Sequence, residues 1–134
     1  MKEKKTAAGS ISSAEMANAI VEAILDKKGH DVLKIDLTEI QEAVTDYFVI
    51  CHGDSDVQAN AIGKNVEEEI RKKHGVKPIF SEGRSNTDWI LLDYFDVVVH
   101  IFQREKRDFY QLEELWSDGI VTRYDDMGNP IDAE

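Results

Sequence analysis

The stretch WILLDYFDVVVHIF, residues 89–102, decides the fold class of this chain. Apolar residues fill both of its ends and aspartates flank its middle, which is the pattern of two strands joined by a tight turn. We predict that the turn is Tyr94-Phe95, so that Asp93 faces Asp96 across an antiparallel hairpin.

Strand alternation divides the side chains of this hairpin between two faces. One face is wholly aliphatic and is the predicted core face: Ile90, Leu92, Val97, Val99 and Ile101. The other, which we call the mixed face, combines aromatic, aliphatic and polar groups: Trp89, Leu91, Val98, His100 and Phe102, with Asp93 and Asp96 toward the turn. In this register Trp89 lies opposite His100.

The mixed face has two interpretations. If the helices cover only the other side of the sheet, it is an apolar patch that needs a partner, and aromatic groups beside polar ones are typical of protein interfaces. If one helix crosses to this side, Trp89 is an ordinary core residue. Periodicity alone leaves both open.

A helix and two strands are predicted ahead of the hairpin. Ser12 and Glu15 have the spacing of a capping box, and the apolar stripe behind them predicts a helix that ends at Gly29. Strands follow at residues 32–37 and 47–51. The second is continuously apolar, which is typical of a central strand.

A second helix, capped by Asp54 or Ser55, leads to a short strand at residues 76–80, which Pro78 assigns to a sheet edge. A third helix is predicted over residues 105–116. The order is α-β-β-α-β-β-β-α, an α/β single domain with a mixed sheet of about five strands and helices packed on it.

The chain has 134 residues, enough for one domain with its own core. We predict a flexible tail at residues 1–11, the folded domain at 12–116 and a loosely attached acidic C-terminal tail at 117–134. The charged start leads into no apolar stretch of signal or membrane length, so we expect a cytoplasmic location and no membrane contact. A single cysteine, Cys51, fits a reducing compartment.

The net charge of −11 bears on the choice of partner. Nucleic-acid binding normally requires a basic patch, because lysine and arginine replace the counterions of the phosphates. The two basic clusters here, at residues 2–5 and 104–107, are each interrupted by a glutamate. We therefore expect little direct RNA binding and favour a basic protein partner.

The enzymatic alternative is a nucleotidyltransferase, because Asp54 and Asp56 stand at a predicted helix start. Such chemistry needs carboxylates that converge on a divalent metal, whereas acidic residues at a helix start are explained by capping. The histidines lie on separate elements without zinc spacing. We therefore predict no catalytic residue, no metal site and no cofactor.

Several segments together resemble the signature of the ribosomal silencing factor family, also called RsfS or Iojap. They are, in chain order, residues 28–29, 45–51, 82–83, 88–93, 96–102 and 107–116. The similarity covers about residues 15–116, which is essentially the whole predicted domain.

The resemblance implies a nucleotidyltransferase-like fold without its catalytic set. It implies a protein, often a homodimer, that binds the large ribosomal subunit through the subunit's protein fourteen. Such a protein blocks subunit joining and represses translation when nutrients are short. Organelle members of the family act in large-subunit assembly. It also favours the first interpretation of the mixed face, with Trp89 exposed. The family's tryptophan, aspartate and histidine correspond to Trp89, Asp93 and His100. The predicted partner-binding set is Trp89, Leu91, Asp93, Tyr94, Phe95, Val98, His100 and Phe102.

The chain departs from the family pattern at two places. Phe95 stands where the family usually has a turn glycine, and phenylalanine tolerates positive φ poorly, so either the turn type changes or the register shifts by a residue. His52 and Asp54 replace the usual threonine and serine around Gly53.

Overall fold

A computed structural model describes residues 11–83, 88–105 and 118–131 of the chain. Within these residues the elements are α1 (Ser13–Asp26), β1 (His30–Asp36), β2 (Tyr47–Gly53), α2 (Asp56–His74), β3 (Phe80–Glu82), β4 (Trp89–Asp93), β5 (Val97–Gln103), β6 (Ile120–Tyr124) and β7 (Pro130–Ile131). The strands form one sheet in the order β3-β4-β5-β2-β1-β6-β7. Because β2 and β5 are parallel and the other pairs antiparallel, the predicted mixed α/β sheet is confirmed, with seven strands rather than about five.

Helix α1 begins after the predicted capping box, and of the two predicted cap candidates of α2, Asp54 and Ser55, the structure has Ser55. The backbone N–H of Glu15 donates to Ser12 Oγ at 3.1 Å, and the N–H of Ser12 donates to Glu15 Oε1 at 3.2 Å, which completes the capping box of α1. Ser55 Oγ accepts from the N–H of Gln58 at 3.1 Å at the start of α2. That helix ends at Gly75, whose φ of 71° is the left-handed cap that glycine adopts readily.

The two helices pack on one side of the sheet, over the face predicted as core. The buried residues of this first core include, from α1, α2 and the hairpin, Met16, Ile20, Ile24, Ile62, Val66, Ile90, Leu92, Val97, Val99 and Ile101. Strand β2 lies between β5 and β1 and is buried along its whole length, so its predicted central position is confirmed.

A second core covers the centre of the opposite side of the sheet. Its buried members are Leu33, Ile35, Leu37, Phe48, Ile50, Val98 and Phe102. Ile40 and Ala43, from the loop between β1 and β2, pack against it and are themselves partly buried. The sheet is therefore buried on both sides at its middle strands, which agrees with the continuous apolar sequence of β2.

The segment predicted as an acidic tail contributes two strands. Strand β6 pairs antiparallel with β1, with Val121 opposite Ile35, and β7 pairs with β6. At Gly119 a Cβ would lie 2.6 Å from Ile35 Cγ2, so only glycine allows the chain to approach β1 this closely. The sequence prediction missed β6 because its five residues follow an acidic stretch and show little periodicity.

Two further predictions concern the flanks of the hairpin. The strand predicted at residues 76–80 is found at Phe80–Glu82, and its predicted edge position is confirmed. The third helix, predicted over residues 105–116, falls almost entirely outside the described residues.

Of the helices described, none combines the length and the apolar content that would cross a bilayer.

Candidate partner-binding surface

The turn of the β4–β5 hairpin lies one residue later than predicted. Asp93 pairs with Val98, and the N–H of Tyr94 donates to the carbonyl of Val97 at 2.9 Å, so the turn residues are Phe95 and Asp96. The predicted turn at Tyr94-Phe95, with Asp93 facing Asp96, is wrong. The reason is the backbone of Phe95, which takes a φ of 77° and so occupies the left-handed position that a tight hairpin turn requires.

The register of the hairpin is consequently shifted by two residues. Trp89 lies opposite Phe102, and Leu91 lies opposite His100. The predicted pairing of Trp89 with His100 is wrong. The apolar residues of both strands nevertheless keep their predicted faces, because alternation has a period of two. The two residues still meet diagonally, since the indole Nε1–H of Trp89 donates to His100 Nδ1 at 3.0 Å.

Aromatic rings pack in a continuous group around this hydrogen bond. The centroid of the Trp89 ring lies 5.5 Å from that of Phe102, with 23° between the planes, and 5.6 Å from that of His100. Phe48 meets the His100 ring edge to face at 5.0 Å. These separations are typical of favourable aromatic pairs, so the Trp89 side chain is held in one orientation.

His100 is the buried polar member of this group. Burial lowers its pKa to about 4, so the imidazole is neutral near neutral pH. Because Nδ1 accepts from Trp89, the ring proton is on Nε2, which lies buried without a hydrogen-bond partner among the described residues. The imidazole therefore orients the indole from below.

Burial divides the predicted partner-binding set into two groups. Val98, His100 and Phe102 on β5 are buried, as is Tyr94. Trp89, Leu91 and Asp93 on β4 are half-buried, and Phe95 is exposed. Trp89 is thus less exposed than the sequence analysis predicts. The physical reason is position, because β5 lies between β2 and β4, whereas β4 has only the three-residue β3 outside it.

Strand β3 adds two residues that the sequence prediction missed. Phe80 pairs with Asp93 and Glu82 pairs with Leu91, and paired residues share a face, so both extend the mixed face to the sheet edge. The predicted strand ended at Phe80 and a loop was expected after it. The available signal was the alternation of Phe80, Ser81 and Glu82. We call the accessible set Phe80, Glu82, Trp89, Leu91 and Asp93 the β3–β4 surface.

The β3–β4 surface has the chemistry of a protein-binding site. Trp89 and Leu91 are its apolar residues on β4; Glu82 lies opposite Leu91, and Asp93 lies two residues further along β4. Aromatic anchors in the centre with charged groups at the rim are typical of interfaces, and carboxylates favour lysine or arginine on the partner.

The carboxylate considered for transferase chemistry is engaged elsewhere. Asp54 Oδ1 accepts from Arg104 at 2.6 Å, and Asp54 Oδ2 lies 3.1 Å from His30 Nε2. The hydrogen bond from Arg104, followed by that from His30, lowers the pKa of Asp54. Within residues 11–83, 88–105 and 118–131, no three His, Cys, Asp or Glu side chains are placed to hold a metal ion. Asp54 thus links the starts of β1 and α2 to the end of β5.

Comparison with known proteins gives consistent matches over this fold. The family model described as "Ribosomal silencing factor during starvation" matches residues 10–133. Ribosomal silencing factor RsfS of Bacillus subtilis is 39% identical over 100 residues, covering 75% of this chain and 83% of that protein. Protein Iojap, chloroplastic, of Arabidopsis thaliana is 34% identical over 88 residues, covering 64% of this chain and 36% of that protein. A crystal structure of a protein from Chromobacterium violaceum superposes with a TM-score of 0.75 at 32% identity, covering 80% of this chain and 88% of that one.

Proposed function

Because the chain belongs to the ribosomal silencing factor family, we propose that it binds protein fourteen of the large ribosomal subunit, blocks joining of the small subunit and represses translation under nutrient limitation in the cytoplasm. The family is non-enzymatic and regulates translation, so the activity to explain is binding rather than turnover. A surface that is accessible and already ordered binds its partner without losing further conformational entropy.

We propose the β3–β4 surface as the docking site, and the observation that carries this choice is the fixed, half-buried Trp89. Its indole is hydrogen-bonded to His100 at 3.0 Å and stacked on Phe102. A rigid aromatic side chain loses little conformational entropy on binding, which is why tryptophan is common among interface residues that dominate affinity. In this proposal the buried Val98, His100 and Phe102 support the surface from below, and the partner contacts Trp89 and Leu91.

Charge supports the same partner. A ribosomal protein that contacts RNA carries lysines and arginines that neutralise phosphates. The chain has a net charge of −11, and Glu82 and Asp93 stand at the rim of the β3–β4 surface. Complementary charge accelerates encounter and fixes orientation, while the apolar centre contributes most of the affinity.

The test removes the indole and measures binding and folding separately. Trp89→Ala should weaken co-sedimentation with isolated large ribosomal subunits by about thirtyfold or more, the loss expected for a dominant interface residue. It should lower the free energy of unfolding by about 1–3 kcal/mol, because His100 Nδ1 loses its donor. Thermal melting gives the temperature at which the variant is fully folded, and co-sedimentation is done below it.

The matched control is the next residue, on the opposite face. Ile90 is 1% exposed and lies in the first core, so Ile90→Ala should cost about 2–5 kcal/mol of stability and leave the affinity of the folded protein unchanged. Glu82→Lys, an exposed charge reversal, should weaken co-sedimentation without lowering the melting temperature. A folded Trp89→Ala protein that sediments with the subunits as wild type does would place the partner elsewhere.

A further inference from the structure

Four apolar side chains are exposed at the end of the sheet where the β4–β5 turn lies. Val44 is 79% exposed, Ile79 67%, Phe80 51% and Phe95 60%. We call these four residues the apolar tip. Single exposed apolar residues are common on protein surfaces, but a group of them at one place indicates an interaction site.

Hydrogen bonds join the three chain segments that carry these residues. Thr45, next to Val44, donates its hydroxyl to the carbonyl of Phe95 at 2.9 Å. The N–H of Ile79 donates to the carbonyl of Asp93 at 2.8 Å, and Phe80 pairs with Asp93 in the sheet. The loop before β2, the start of β3 and the β4–β5 turn therefore meet at one end of the molecule.

Phe95 occupies an unfavourable backbone conformation without contributing a buried ring. Its φ of 77° is in the left-handed region, where glycine is favoured and a phenylalanine is strained. The turn is held by the N–H of Phe95, which donates to Asp93 Oδ1 at 2.7 Å, and by the bond from Thr45. A strained residue with an exposed aromatic ring is explained better by a contact outside the fold than by stability.

The charges beside the apolar tip select among possible occupants. Glu42, Asp46, Asp93 and Glu82 stand within two residues of its members, and Lys77 is the one cation within that distance along the described chain. A second copy of this chain, itself carrying a net charge of −11, would bring acids against acids. A basic protein surface would instead place lysine or arginine against them.

We propose that the apolar tip is a second docking area, which receives an apolar patch rimmed by lysine or arginine on the same basic protein that binds the β3–β4 surface. The two areas are continuous, because Phe80 belongs to both. This inference rests on the proposed function and deepens it, since it requires the partner to extend around the turn of the hairpin instead of contacting the sheet face alone.

The experiment compares tip variants with a matched control in co-sedimentation with isolated large ribosomal subunits. Phe95→Gly removes the ring and relieves the backbone, so it should fold at least as well as wild type. Val44→Ser removes an exposed valine from the tip, and Val57→Ser removes one of similar exposure, 76%, from the start of α2. Phe95→Gly and Val44→Ser should each weaken binding by about fivefold or more, whereas Val57→Ser should leave it unchanged.

The outcomes separate this inference from the proposed function. If Trp89→Ala abolishes binding but Phe95→Gly and Val44→Ser bind as wild type does, the apolar tip is not part of the interface and the inference fails alone. If wild type does not sediment with large subunits, both fail. If the tip variants lose self-association in analytical ultracentrifugation while their subunit binding is unchanged, the occupant is a second copy and the inference is overturned.

Discussion

At the scale of single residues, His100 connects the interior of the sheet to the proposed docking surface. It is buried beside Phe48 and Phe102, and it accepts the indole N–H of Trp89 at 3.0 Å. A protonated imidazole has no acceptor nitrogen, so protonation would break this bond and place a charge in an apolar environment. The orientation of Trp89 therefore depends on a neutral histidine.

This arrangement predicts a specific pH dependence of stability. The pKa of His100 is lowered from 6.5 to about 4 by burial, so between these values the unfolded chain binds more protons than the folded one. The stability that depends on neutral His100 is fully present above the pKa of the unfolded state, and it is lost as the pH falls from about 6.5 toward about 4. Between about pH 7 and about pH 5 it should amount to roughly 2 kcal/mol.

Urea unfolding of wild type and His100→Asn at both pH values measures this contribution. Asparagine keeps an acceptor for the indole but does not titrate, so the variant should lose about 2 kcal/mol less stability than wild type over this interval. Carboxylates titrate in both proteins and cancel in the comparison. Equal losses in the two proteins would mean that folding does not lower the pKa of His100.

At the scale of elements, the pairing of β6 with β1 depends on Gly119, whose backbone lies very close to Ile35 and Asp36. A Cβ at Gly119 would lie 2.6 Å from Ile35 Cγ2 and 2.9 Å from the carbonyl oxygen of Asp36. The second of these atoms is backbone and does not move aside as the end of a flexible side chain does. The entry of the chain into β6 is therefore fixed by a residue without a side chain.

Gly119→Ala should accordingly destabilise the domain by about 1–3 kcal/mol, the usual cost of forcing extra atoms into a packed region. The neighbouring Ile120 is exposed, so Ile120→Ala should stay within about 0.5 kcal/mol of wild type. Chemical denaturation of the three proteins tests this. A Gly119→Ala protein as stable as wild type would indicate that β6 contributes little to the folded state.

At the scale of the whole molecule, the acidic charge governs how partners meet. The chain carries 27 acidic and 16 basic residues, which gives the net charge of −11. Such a field repels RNA phosphates and attracts a basic protein over a distance set by ionic strength. The N-terminal cluster, Lys2 to Lys5, is too small to reverse this balance.

The association rate with large ribosomal subunits should therefore fall several-fold as salt rises from about 50 to about 300 mM, while the dissociation rate changes little. Deletion of residues 2–5 should leave the affinity within about threefold of wild type. Fluorescence-detected binding kinetics at several salt concentrations provides both rates. An affinity loss of about tenfold or more on the deletion would show that phosphate contacts matter.

The features predicted well from sequence are those that depend on near neighbours along the chain. The capping box of Ser12 and Glu15, the cap at Ser55 and the faces of the hairpin follow from spacings of two to four residues. The predicted position of the turn is wrong by one residue, because phenylalanine is not a usual residue at positive φ. In the structure, hydrogen bonds with Asp93 and Thr45 hold Phe95 in that conformation.

The sequence by itself determined the α/β class, the two described helices, the central position of β2 and the chemical character of the mixed face. The tertiary structure decided which residues of that face reach solvent. Val98, His100 and Phe102 are buried because β5 pairs with β2 on one side and β4 on the other, and Phe80 joins the surface because β3 pairs beyond β4. Pairing between distant strands depends on the packing of the whole chain, so no local pattern specifies it.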